Sequence, residues 1–374
     1  MSAPAAAGAR VERAELTICA LPLRHPVQLG ATTYREREVA VLRLRAADGA
    51  VGTALGYTRG TPLLSAFELL ADDLVGLDPQ RRAAELARIA ATRLHGAPSL
   101  VRATSLLDVA LHDLAAQACG VPLWQLLGGL RDRVPSLAVA GYFPERRSQQ
   151  EIEQEVLELA ARGHRAIKLV VAGADPIGDE RFLARVRAAL DPAVGLAIDL
   201  HGAYEDVWTA QRTIARLEAH GLLFVEDPLP VHARAATARL ARRVRVPLAA
   251  GEDVAGVAEL AELVRAVEVL RVDATTSGGL LAAAAAVELA AARGVAVVPH
   301  VWEHTHAQLA GAHRAIAYVE RIPAASGADP LDLLGLAPLP LEDGDVVLPA
   351  EPGQGIALDE EALARYRVAG FERG

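Results

Sequence analysis

Asp199, Glu226, Glu252, Asp273, His300 and Lys168 are of types that could together do metal and acid–base chemistry, and each lies in or just after a short apolar run. Three unpaired carboxylates facing one another repel and raise each other's pKa, so a cation belongs among Asp199, Glu226 and Glu252. Mg²⁺ suits that set, because it takes carboxylate oxygens and keeps octahedral positions for water and a bidentate substrate group. Any single acid at a strand end can instead cap the next helix, which is the expectation for Asp227 and Asp253. A carboxylate such as Asp273 that accepts a hydrogen bond from one imidazole nitrogen of His300 fixes the tautomer and makes the other nitrogen a base near neutral pH. His304, His306 and His313 read as satisfied buried or surface histidines. Lys168, within Ala-Ile-Lys-Leu-Val-Val, needs a charged partner if it is inside; it could neutralise a substrate carboxylate or donate a proton from the face opposite His300. Glu320 could bond a substrate carboxylate oxygen if protonated or bridged.

Positioning these groups on one surface requires parallel strands that all end on the same side. Strand-like runs fall at Leu137–Ala140, Ala166–Val171, Val194–Leu200, Leu222–Glu226, Pro247–Ala250, Val267–Val272, Val295–Pro299 and Ile316–Val319. Helical stretches separate most of them, as at Gln150–Arg162, Arg181–Leu190, Trp208–His220 and Leu280–Arg293; the link from His300 to Ile316 is the shortest. Eight strands at this spacing, without a Gly-rich phosphate turn after the first, predict an α/β fold of the (β/α)-barrel type over residues 131–345. In such barrels the C-terminal strand ends carry the chemistry. Neighbouring strands about 4.8 Å apart let one acid from each of three strands reach a single ion.

Upstream, alternation over residues 11–55 with a turn at Asp48-Gly49 predicts strands, and helical periodicity follows over Thr61–Leu94 and Ser99–Cys119. This is an α+β capping domain, residues 11–130, whose loops at Arg24–Tyr34 and at Tyr57 and Arg59 could choose the substrate. Residues 1–10, rich in Ala, Pro and Gly, read as a flexible leader, and residues 346–374 as a segment returning to the cap.

Lys and Arg number 38 against 47 Asp and Glu, a net charge of −9, with no basic block that would mark a nucleic-acid partner. Pairs such as Arg242-Arg243 read as a solvated helix face. The apolar run Leu280–Ala292 is too short for a bilayer and contains Glu288, so a packed helix and a cytoplasmic protein are expected. Cys19 and Cys119 lack metal-ligand spacing and read as ordinary buried thiols.

The segments Ala166-Ile-Lys-Leu, Ile198-Asp-Leu-His-Gly, Val225-Glu-Asp-Pro-Leu-Pro, Ala250-Gly-Glu-Asp, Val272-Asp-Ala-Thr-Thr-Ser-Gly-Gly and Val298-Pro-His occur in this order over nearly the whole length. In that order the chain resembles the mandelate racemase-like subgroup of the enolase superfamily. The resemblance implies Mg²⁺-assisted removal of the proton α to a carboxylate, with Asp199, Glu226 and Glu252 as ligands and His300–Asp273 as base. It also implies a homo-oligomer, a dimer or octamer, acting on a small carboxylate. The family's Lys-x-Lys on the second strand is here Lys168-Leu-Val170, so the second base is replaced by a residue that cannot titrate. A two-residue slip would instead make Lys168 that base, with Ala166 as its partner. His201, two after the metal aspartate, resembles the acid-sugar dehydratases, where a histidine helps a hydroxyl leave; it could equally orient a ligand. The expectation is dehydration of a sugar acid to a 2-keto-3-deoxy acid. The rivals are a racemase using His300 and Lys168, and a catalytically silent metal-binding barrel.

Overall fold

The computed structural model describes residues 10–29, 32–93 and 96–374. The expected leader therefore lies almost wholly outside the described residues, as do positions 30 and 31 of the Arg24–Tyr34 loop. The chain opens with a β-meander, β1 (Val11–Leu29), β2 (Thr32–Ala46) and β3 (Val51–Tyr57), followed by α1 (Leu63–Leu74), α2 (Arg82–Thr92), α3 (Ala97–Ala118) and the single turn α4 (Leu123–Leu126). One face of the meander buries Leu16, Ala40, Leu42 and Ala54 together with Phe67, Leu70, Leu107 and Leu111 of the helices. Gly52 lets β3 run against α3, since a Cβ there would strike the carbonyl of Ala110.

The barrel follows as strand and helix in turn: β4 (Arg133–Ala140), α5 (Gln149–Ala161), β5 (Ala166–Val170), α6 (Pro176–Ala189), β6 (Gly195–Asp199), α7 (Val207–Leu217), β7 (Val225–Glu226), α8 (Arg234–Ala241), β8 (Leu248–Ala250), α9 (Val257–Leu263), β9 (Val269–Leu270), α10 (Gly279–Ala291), β10 (Ala296–Val297), α11 (Glu303–Ala312) and β11 (Val319–Arg321). Neighbours from β4 to β10 pair in parallel and in order. A parallel bridge from Val297 to Ile316 and pairing of β11 with β4 close the ring. The link from His300 to Ile316 thus contains a full helix. The helices bury one stripe each: α7 turns Val207, Ala210, Ile214 and Leu217 inward, the helical spacing. α5 begins at a capping box in which Ser148 and Glu151 satisfy each other's backbone amides. The run around Leu280 is the packed helix α10, and among the described residues no helix is long and apolar enough to cross a membrane.

Inside the ring lie Leu137, Val139, Ala166, Val170, Ala197, Phe224, Ala249, Val269 and Val298. Alanines on three of these strands leave room for the long charged side chains above them. A hairpin of β12 (Leu341–Glu342) and β13 (Asp345–Val347) adds antiparallel to β4. After α12 (Glu360–Tyr366), β14 (Arg367–Arg373) pairs with β1, completing the cap sheet in the order β14-β1-β2-β3. Cys19 is buried in that sheet. Cys119 is exposed, against expectation, because it sits at the C-cap of α3 where the chain turns out at Gly120.

Candidate active site

Backbone strain marks the rim of the barrel. Phe143, His201, Asp227, Val301 and Trp302, each just past a barrel strand, and Arg59 on the cap have positive φ; only Asp343, among non-glycine residues, shares this elsewhere in the described chain. Such conformations are unfavourable for residues with a Cβ, and clusters of them point to function.

Below this rim the charged side chains converge. Lys168, 2% exposed, places Nζ 3.0 Å from Asp199 Oδ2 and 2.8 Å from both Glu226 Oε2 and Glu320 Oε2. Burial disfavours its charge, but Asp199, Glu226 and Glu320 outweigh burial and raise its pKa well above the ordinary value. Lys168 and Val170 both face the barrel interior, and Val170 packs with Val27, Tyr142 and Phe143. Lys168 therefore lies against the carboxylates, as the first residue of the Lys-x-Val pair.

Sequence reasoning missed Arg271, a completely buried arginine. Its Nε donates to Glu226 Oε1 at 2.7 Å, its Nη2 to both oxygens of Glu320 at 2.7 Å, and its Nη1 to the carbonyls of Val298 and Pro299 at 2.7 and 3.2 Å. Burial alone would raise Glu320, yet Arg271 and Lys168 bring its pKa down to about 2. Glu320 also accepts the amide of Val301 at 3.0 Å. An ionised carboxylate has no proton to donate to a substrate, so what remains of its expected role is bridging through Lys168.

Glu226, Asp227 and Glu252 are the carboxylates, among the described residues, whose oxygens lie within 4.8 Å of one another and could share an ion. Asp227 thus joins the cluster and caps nothing; the residues at the N-caps of α8 and α9 are Ala233 and Gly256. Asp199 adjoins through Lys168 and through His201, whose Nε2 is 3.3 Å from Asp199 Oδ2 and whose amide donates to Oδ1 at 3.0 Å. His201 reaches this place through a turn with left-handed φ, not through the strand alternation of i and i+2. Burial, with repulsion from Asp199 and Glu252, holds Glu226 well above the carboxylate range despite Arg271 and Lys168; burial, Glu252 and Asp199 do the same to Asp227. Ionised, Asp199, Glu226, Asp227, Glu252 and Glu320 exceed Lys168, Arg271 and Arg59, which lies 3.3 Å from Glu252, by two negative charges. A divalent cation cancels that excess, so the donor set fits one.

His300 Nδ1 is 2.8 Å from Asp273 Oδ2, and its Nε2 is 3.5 Å from Glu252 Oε2. Burial raises Asp273, but its bond to His300 and further partners hold it below the usual range, ionised. The dyad thus stands beside the acidic cluster. Gly251 places Glu252 close by: its φ is +132, and a Cβ there would strike the carbonyl of Arg271. His304 and His306 are buried, and His306 bridges the Val301 carbonyl and the Ala274 amide, a structural role. Asp253 pairs with Arg59 and, at 2.8 Å, with Arg102, tying barrel to cap.

A closed parallel barrel carrying acids, a His–Asp pair and a buried lysine at its C-terminal rim, under an α+β cap, defines a metal-assisted enzyme of carboxylate chemistry. Residues 13–128 match the mandelate racemase/muconate lactonizing enzyme N-terminal domain, and residues 151–362 the enolase C-terminal domain-like family. The chain belongs to the mandelate racemase/muconate lactonizing enzyme group of the enolase superfamily. It is 29% identical to L-talarate/galactarate dehydratase of Salmonella typhimurium LT2, over 95% of this chain and 90% of that one. The crystal structure of that dehydratase with Mg and L-lyxarohydroxamate superposes with a TM-score of 0.89 at 26% identity, covering 100% of this chain and 97% of the other. Muconate cycloisomerase 1 of Rhodococcus opacus is 27% identical over 94% of this chain and 97% of its own.

Proposed function

We propose that this protein removes the proton α to the carboxylate of a sugar acid with the help of Mg²⁺ and dehydrates it to a 2-keto-3-deoxy acid. The observation that carries the reading is the His300–Asp273 pair beside Glu252, with Val170 where a second base would stand. Asp199, Glu226 and Glu252 would hold the ion, with Asp227 adjoining. When bound, Mg²⁺ supplies a Lewis acid that stabilises negative charge developing on the substrate carboxylate. Asp273 keeps the proton of His300 on Nδ1, leaving the Nε2 lone pair to take the Cα proton. Lys168, held charged by three carboxylates, lends positive potential to the carboxylate end and is a poor candidate for a base. In this reading His201, beside Asp199 and partly exposed, gives a proton to the departing β-hydroxyl, which leaves as water; the enol then becomes the ketone.

Racemisation needs proton chemistry on both faces, and the hydrophobic Val170 disfavours it. Support for dehydration also comes from the relation to a talarate/galactarate dehydratase. The test is a library of sugar acids incubated with Mg²⁺, with keto products trapped by semicarbazide. Turnover of at least one acid, lost by about 10²–10⁴-fold in His300→Asn, is expected. Deuterium exchange at Cα without a keto product would replace this reading by the racemase.

A further inference from the structure

Arg59 stands where the chemistry described above requires the substrate to be. It lies on the turn after β3, with φ of +46, and so belongs to the cap. Its Nη2 is 3.1 Å from His300 Nε2 and 3.5 Å from Glu252 Oε1, its Nη1 is 3.3 Å from the same oxygen, and Nη1 also binds Asp253. With Nδ1–H committed to Asp273, Nε2 is an acceptor, and Arg59 donates into its lone pair. A lone pair occupied by an N–H cannot take a proton from carbon, because a reacting C–H must approach the same nitrogen to about 3–3.5 Å. Glu252 Oε1 is likewise engaged by both terminal nitrogens of Arg59. The guanidinium lies over the ring of Tyr57, and its side chain is about one-quarter exposed. It lines a cavity of about 670 Å³ together with Tyr34, Arg37, Thr58, Arg102 and Asp253.

We propose that Arg59 is a substrate-binding residue delivered by the cap: it covers His300 Nε2 and Glu252 Oε1 in the free protein and moves onto oxygens of the bound acid beyond its reacting carbons. The move exposes the base only when a polar, oxygen-rich substrate fills the cavity. Asp253, itself held by Arg102, tethers the guanidinium so that it swings and does not leave the site. The substrate part of this inference rests on the carboxylate chemistry proposed above; the competition for Glu252 does not.

The test is calorimetric titration of Mg²⁺ alone into wild-type protein, Arg59→Met and Arg59→Lys, followed by steady-state kinetics on the acid the library identifies. Arg59→Met frees Glu252 Oε1 and is expected to bind Mg²⁺ at least threefold more tightly without substrate, with Arg59→Lys between it and wild type. The same methionine variant should raise KM at least tenfold with a smaller change in kcat. Unchanged or weaker Mg²⁺ binding in both variants overturns the proposal, and so does tighter binding with an unaltered KM. If Arg59→Met does not fold, the lysine variant decides by the same two readings. If no acid turns over, the reaction assigned above fails, and the Mg²⁺ titration still decides whether Arg59 competes for Glu252.

Discussion

Burial and neighbouring acids raise the pKa of both Glu226 and Asp227 above the ordinary carboxyl value. A cation entering the cluster competes with protons for these oxygens, so its binding strengthens as pH rises and is accompanied by proton release. Calorimetry of Mg²⁺ binding in two buffers of different ionisation enthalpy should report net proton release, and affinity should fall on acidification. Equal apparent enthalpies in the two buffers, with an affinity independent of pH, would contradict this. At this scale much was legible. The acids proposed to hold the metal and the His300–Asp273 pair stand out because each follows a strand-like run on the same side of the barrel. Arg271 was equally legible in principle: it interrupts Val-Leu-Arg-Val as Lys168 interrupts its own run, and lies two residues from Asp273. Asp227 was not, since adjacent residues on a strand face opposite ways. It joins Glu226 only because the chain turns left-handed there.

Except for Lys168 and Glu320, which lie within β5 and β11, the barrel strands serve the site through the last residue or the two or three that follow, so the geometry of that exit matters more than strand length. Gly251 is the exit of β8. Adding a Cβ would force β8 away from the carbonyl of Arg271 at a φ that L-residues avoid. Gly251→Ala should therefore displace Glu252 and weaken Mg²⁺ binding at least tenfold while circular dichroism shows the fold retained; unaltered affinity would show that Glu252 does not depend on this exit. The order of strands and helices was readable from periodicity, but the ends were not. Strand-like runs of five or six residues, such as Val267–Val272, shrink to pairs such as Val269–Leu270, because the flanking residues lie in the bends where the barrel meets its loops. The β12–β13 hairpin is short and partly polar, and its pairing with β4 is a long-range choice that local pattern does not encode.

Across the whole molecule, burial of neutral histidines sets an acid limit. His164 and His304 line one cavity of about 530 Å³ beside β11, and burial lowers both to a pKa of about 4. Unfolded histidine titrates near 6.5, so below that pH the unfolded chain binds more protons, and stability falls as pH drops from about 6.5 toward about 4. Thermal unfolding should show this decline, and His304→Gln should flatten it; an equal slope in the variant would remove His304 from the account. The cap sheet has a different dependence, set by the order in which the chain is made. β1 finds one neighbour in β2 within the same hairpin, but its other edge stays open until Arg367–Arg373 arrive, pairing Ala14 with Arg373. On a ribosome, β1 therefore emerges long before its second neighbour, β14. Throughout synthesis of the barrel that edge of β1 is bare and open to wrong partners, and β14 covers it once it is made.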